Sequence, residues 1–188
     1  MRYAAFLRAV NVGGRVVKMD RLRGLFSEAG FSGVSTHIAS GNVLFTAARG
    51  RAGDLERRIE TALGEALGFE VATFLRTPAE LEAIAARRPF PGAEAAEAHA
   101  LYVGFLKEPL TPDQARAVLG FAGTNDALAV HGREIHWLCR ERSPRSIALP
   151  GRIEKALRLP ATFRNVTTVG QVRDLLAPDR RQDASAPS

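Results

Sequence analysis

One cysteine, Cys139, excludes any intramolecular disulfide and any thiolate-held metal cluster. Long apolar runs are missing too. No window reaches the ~18 uninterrupted apolar residues of a membrane span. The run 3–7 is too short for a signal-peptide core and is closed by Arg8. These absences point to a cytoplasmic protein with no membrane partner. Tryptophan occurs once and tyrosine twice, and the strand "SGNVLFTA" carries only Phe45, so the aromatic-rich signature of RNA-recognition modules is absent. Catalytic signatures are missing as well. There is no G-x-S-x-G elbow, no H-E-x-x-H and no G-x-G-x-x-G, and no G-K-S/T follows Gly13-Gly14. No cofactor and no catalytic residue is therefore assigned, and an enzyme is neither indicated nor excluded.

What is present is an ordinary globular composition, 46% hydrophobic and 24% charged over 188 residues, enough to bury a sizeable core. The net charge is +6 and the isoelectric point near 10.4. Residues 1–76 hold 11 Lys/Arg against 7 Asp/Glu, residues 77–138 hold 5 against 8, and residues 139–188 hold 10 against 5. Two basic segments thus flank an acidic one. Where the outer segments meet, they form a positive face suited to an anion.

Periodicity predicts a strand over 2–8 and a helix over 19–29, with Met19, Leu22, Leu25, Phe26 and Ala29 on one face. Two β-rich runs follow, turning at Ser40-Gly41. A helix over 54–67 and a strand over 70–76 complete a unit of strand, helix, strand, strand, helix, strand. Thr77-Pro78 starts a short helix through Arg87. Residues 87–98 read as a boundary. The pattern then repeats: a strand over 99–106, a helix over 111–122, a hairpin turning at His131-Gly132, and a helix over 151–158. Gly132 lines up with Gly41 of the first hairpin. "FRNVTT" offers an uncertain closing strand before a last helix over 169–177, and 178–188 reads as a disordered tail. The unit is the split βαβ motif. The expected fold is α+β, with two ferredoxin-like subdomains at 1–76 and 99–177, a connecting segment at 77–98, and a second unit incomplete or modified at its C-terminal end.

"LRAVNVGGR", "HIASGNVLF" and "EKAL…ATFRNVTTV" occur in this order. Together they resemble the bacterial domain of unknown function 1697 family, over about residues 1–176. The resemblance implies a two-subdomain α+β fold and no activity. The family's typical final motif looks like Thr-Thr/Ser-Arg-Asn-Trp. Here it is Thr162-Phe163-Arg164-Asn165-Val166, departing at Phe163 and Val166.

Three segments are candidate ligand sites. In the first, Gly13 and Gly14 allow close backbone approach to an anion, beside Arg8, Asn11 and Arg15; a strand-to-helix turn explains the same glycines. In the second, Ser40, Gly41 and Asn42 form a hairpin turn that could also present polar groups to a cleft. In the third, Lys155, Arg164 and Asn165 bring a cation suited to bidentate anion recognition; Lys155 could equally complement a helix C-terminus. No metal is expected, because His136 and Cys139 alternate to opposite faces of one strand. Cys139 beside Trp137 reads as a small buried apolar residue. The expected function is a binding module for a small anionic ligand, phosphate-bearing ones included, at the cleft between subdomains. Nucleic acid on a basic face is the alternative partner, and a scaffold or homodimer the third.

Overall fold

The computed structural model describes residues 1–8, 10–11, 16–38 and 41–177. The first half comprises β1 (Arg2–Leu7), α1 (Met19–Glu28), β2 (Ser32–His37), β3 (Asn42–Thr46), α2 (Ala52–Leu67) and β4 (Thr73–Arg76). Next come α3 (Pro78–Ala86) and α4 (Gly92–Glu97). The second half comprises β5 (Ala100–Phe105), α5 (Pro112–Leu119), β6 (Asp126–His131), β7 (Glu134–Cys139), α6 (Pro144–Leu157) and β8 (Thr162–Asn165), followed by α7 (Val166–Leu176). The strand orders are β2-β3-β1-β4 and β6-β7-β5-β8, antiparallel throughout. These are two ferredoxin-like units, and β8 makes the second one complete.

Local chemistry sets the helix starts. Thr77 with Glu80 and Thr111 with Gln114 form reciprocal capping boxes, each followed by proline at the first helical position. Ser143 caps α6, and Asn165 caps α7 by accepting the Thr167 N–H at 2.8 Å. Two sequence expectations are corrected here. The sixth helix begins at Pro144 rather than near 151 and runs through Pro150, and the last begins at Val166 rather than 169. Residues 87–98, read as a boundary, hold the one-turn α4. The hairpin glycines do not share a register position. His37 pairs with Asn42 across residues 38–41, whereas His131 pairs with Glu134 across the two-residue turn 132–133. The expected tail, 178–188, lies outside the described residues.

Each sheet buries one face under its own helices. Tyr3, Ala5, Val43, Phe45 and Leu75 pack against Phe26 and Ile59. Ile135, Trp137 and Cys139 pack against Val118, Leu149 and Ile153. A third core joins the halves. Ala4, Phe6, Leu44 and Phe74 from the first sheet meet Val103 and Phe105 from the second, sealed by Leu81 and Ile84 of α3 and Val169, Val172 and Leu176 of α7. The rings of Phe6 and Phe105 stack at 4.0 Å with 8° between planes. The sheets therefore lie face to face at this contact, and neither offers its helix-free face as an open platform.

Candidate functional site

Among the described residues, Asn42 of the second segment and Arg164 of the third meet beside the Leu7 backbone, each with protein partners. Phe6 faces Asn42 and Phe74, while Phe105 faces Glu134 and Thr162. On that alignment Arg76 and Arg164 occupy matching positions on the closing strands, opposite Ala4 and Val103. Each reaches across to the other half. Arg164 donates from Nε to Asn42 Oδ1 at 2.7 Å and from one terminal nitrogen to the Leu7 carbonyl at 2.7 Å. Its other terminal nitrogen donates to Thr162 Oγ1 and the Phe163 carbonyl. Burial pulls its pKa down to about 10, so it stays charged at neutrality.

Arg76, fully buried, pairs with Glu134 at 2.8 Å and donates to the Leu106 and Arg133 carbonyls. It also lies 5.1 Å from the Phe105 ring centroid. Burial lowers its pKa, and Glu134 opposes that shift. The sequence reading missed Arg76. The signal was there: an Arg inside a strand, at the position that Arg164 takes in the repeat.

The remaining expected residues that are described have mostly local roles. Gly41 sits at φ 75°, and its carbonyl accepts the Leu7 N–H at 2.8 Å. A β-carbon there would stand 3.2 Å from that of Leu7. Asn11 Oδ1 accepts the Val17 N–H at 2.7 Å. Arg8 holds Glu154 through two bonds, 2.5 and 3.0 Å, and Glu154 raises its pKa. Lys155 is exposed on α6, and Asn165 is the α7 cap. Gly13, Gly14, Arg15 and Ser40 lie outside the described residues. Arg8 also borders an open groove of about 580 Å³, but Glu60 and Glu70 balance Arg8 and Lys107 there, so the groove does not select an anion.

A different cavity, of about 330 Å³, lies between the segment following α3, the second sheet and α7. Its apolar wall is built by Phe90, Leu101, Val103 and Val169. Arg87, Arg88 and Arg173 surround it, and His136 lines it from β7. His136 is 3% exposed, and its Nε2 has no hydrogen-bond partner among the described residues. Burial first, then the nearby His131 and Arg87, push its pKa down to about 4, so the imidazole is neutral at pH 7. Leu44 takes the matching place in the first half: it faces Ala4 as His136 faces Val103. Arg173 is engaged by Asp174 at 2.7 Å. Arg87 and Arg88 are exposed and have no ion pair among the described residues. Alternation did separate His136 from Cys139, which packs with Trp137 on the opposite face.

Paired sheets, two cross-sheet arginines and a cavity at the edge of the shared core define a class of α+β protein built from duplicated ferredoxin-like units. A family described as "Protein of unknown function (DUF1697)" matches residues 1–136, and the chain belongs to it. Among solved structures it is similar to the conserved bacterial protein SP0830 from Streptococcus pneumoniae. The identity is 25% and the TM-score 0.70, over 93% of this chain and 97% of that one. No curated protein matches. Among the described residues no helix is long and apolar enough to cross a membrane.

Proposed function

We propose that the protein is a cytoplasmic binding module for a small anionic ligand with an apolar body, held in the cavity beside His136. The observation that supports this is His136 at the cavity wall, whose buried Nε2 has no partner among the described residues. Other buried polar side chains in the chain, Asn42, Glu56, Arg76, Asp126 and Arg164, all have partners. A buried group left unsatisfied costs about 1–3 kcal/mol. A ligand that bonds His136 removes that penalty on binding. Arg87 and Arg88 at the rim favour a carboxylate or phosphate, and Phe90, Leu101 and Val103 suit a hydrocarbon or ring. In this reading residues 77–98 link subdomains 1–76 and 99–177 and also form one wall of the site.

A thermal-shift screen of nucleotides, sugar phosphates and small carboxylic acids tests it. At a hundred times its Kd a ligand adds about 2.7 kcal/mol, or roughly 5–10 °C in a chain of this size. Gly170 lines the cavity, and a β-carbon there meets nothing within 4 Å. Gly170→Leu should keep the fold and abolish the shift. A shift that survives Gly170→Leu unchanged places the ligand elsewhere and rejects the reading.

A further inference from the structure

The second half carries a site of different chemistry on its outer, helical side. Arg142, Arg145, Arg152, Lys155 and Arg158 lie on α6 or flank it, and all are exposed. None has an ion-pair partner among the described residues. Glu154, the only acid in α6, is turned to Arg8 at 2.5 Å. The helix thus presents a run of uncompensated positive charge, in a protein where most other described arginines are bonded or paired. Positive charge of this kind attracts a polyanion over its own length of helix.

Beside the N-terminal half of α6 is a cavity of about 380 Å³ with an aromatic wall. Tyr102 and Trp137 stack at 4.5 Å, and Phe163 meets Trp137 edge-on at 6.2 Å. His99 and Arg142 also line it, and Ile147, 61% exposed, stands at its rim. The wall is held rigid from behind. Trp137 Nε1 donates to buried Asp126 at 2.8 Å, and Asp126 accepts in turn from Ser146 Oγ on α6. Asn125 donates to the same hydroxyl at 2.6 Å. A pre-ordered aromatic surface next to unpaired arginines is what a base joined to phosphates requires.

We infer that this face binds single-stranded nucleic acid, with one unpaired base in the Tyr102–Trp137–Phe163 pocket and the backbone phosphates along α6. The mode in which a ferredoxin-like sheet stacks bases on its helix-free face is closed to this protein, because Phe6 and Phe105 bury those faces against each other. Only the helical side remains. A duplex keeps its bases paired and cannot fill the pocket. The basic run extends to Lys155 and Arg158, well past the pocket, which favours a strand over a free mononucleotide.

Trp137 is the sole tryptophan, so its fluorescence reports on the pocket directly. Full-length protein is titrated with a 10-nucleotide oligo-U, its DNA counterpart, a duplex of the same length and a mononucleotide. The single strands should quench Trp137. Their affinity should fall about 50-fold between 50 and 200 mM salt, if four phosphates are contacted. The double variant Arg145→Glu, Lys155→Gln changes only exposed side chains without an ion pair among the described residues, and should weaken binding at least tenfold without altering the melting temperature; Arg152 is left in place because it stacks on Phe121 at 4.9 Å. No binding at 50 mM salt overturns the inference, as does full affinity in the double variant. Binding without a change in Trp137 fluorescence rejects the pocket. A mononucleotide or duplex that binds as tightly as the strand rejects the single-strand assignment.

Discussion

At the scale of residues, His136 distinguishes the two halves most sharply. The same position holds an ordinary core leucine, Leu44, in one half and an imidazole with an unpartnered nitrogen in the other. The unfolded chain protonates this histidine below pH 6.5, while the folded state resists until about pH 4. In that window the unfolded state binds more protons, so stability is full above pH 6.5 and declines as the pH falls toward 4. The decline is at most about 3 kcal/mol, from a shift of this size at 1.36 kcal/mol per unit. His136→Leu, copying Leu44, should raise stability at pH 7 by about 1 kcal/mol, because the unsatisfied nitrogen is gone. It should also flatten the difference between pH 6.5 and 4. Urea titrations of both proteins at pH 7, 5.5 and 4.5 measure this. Parallel pH profiles would show that His136 is not the sensitive group.

At the scale of elements, the strand β5 shows how one glycine fixes a neighbour. A β-carbon on Gly104 would lie 2.5 Å from Cε1 of Phe163 on the adjacent strand β8. Phe163 lies across that glycine and meets Trp137. Gly104→Ala must push the ring outward and is expected to cost about 1–3 kcal/mol, in the range of other overpacked sites. The near-ultraviolet circular dichroism of Trp137 should change with it, and an unaltered spectrum with unaltered stability would refute the contact.

Elements were largely legible in the sequence, because each half alternates its periods of two and 3.6 cleanly. The failures have local causes. Pro150 reads as a helix stop, since it lacks an N–H and crowds the preceding turn. Yet Ser146, Leu149, Ile153 and Leu157 form one buried face that carries α6 through it. The strand β8 was uncertain because Asn165 ends it and caps α7 at once, leaving no turn residues between. Arg164, Asn42 and Gly41 read in the sequence as ligand-binding candidates, and in the structure each bonds to protein groups. The Arg164–Asn42 bond runs between the sheets, which periodicity within one chain segment does not reveal, and Gly41 bonds Leu7 within its own sheet. His136 was hidden for the reverse reason, because nothing in a strand's alternation marks a side chain that will lack a partner.

At the scale of the whole molecule, the third core decides how the chain folds. Phe6, Leu44 and Phe74 from one sheet, with Val103 and Phe105 from the other, are buried only when the halves meet. Each buried aromatic or branched side chain is worth roughly 1.5–3 kcal/mol, so either half alone would lose much of its net stability. The cross-sheet arginines add to this coupling. Arg76 holds Glu134, and Arg164 holds Asn42 and the Leu7 carbonyl, from matching positions on opposite sheets. Two similar units therefore should not unfold one after the other. Calorimetry is expected to show a single transition with equal calorimetric and van't Hoff enthalpies. Arg76→Leu strips the partner from half-buried Glu134 and should lower stability by about 3–5 kcal/mol, while keeping that single transition. The paired change Arg76→Leu, Glu134→Leu should recover much of the loss, since an apolar pair leaves no buried charge behind. Two resolved transitions in the wild-type chain would mean that the shared core does not bind the halves into one cooperative unit.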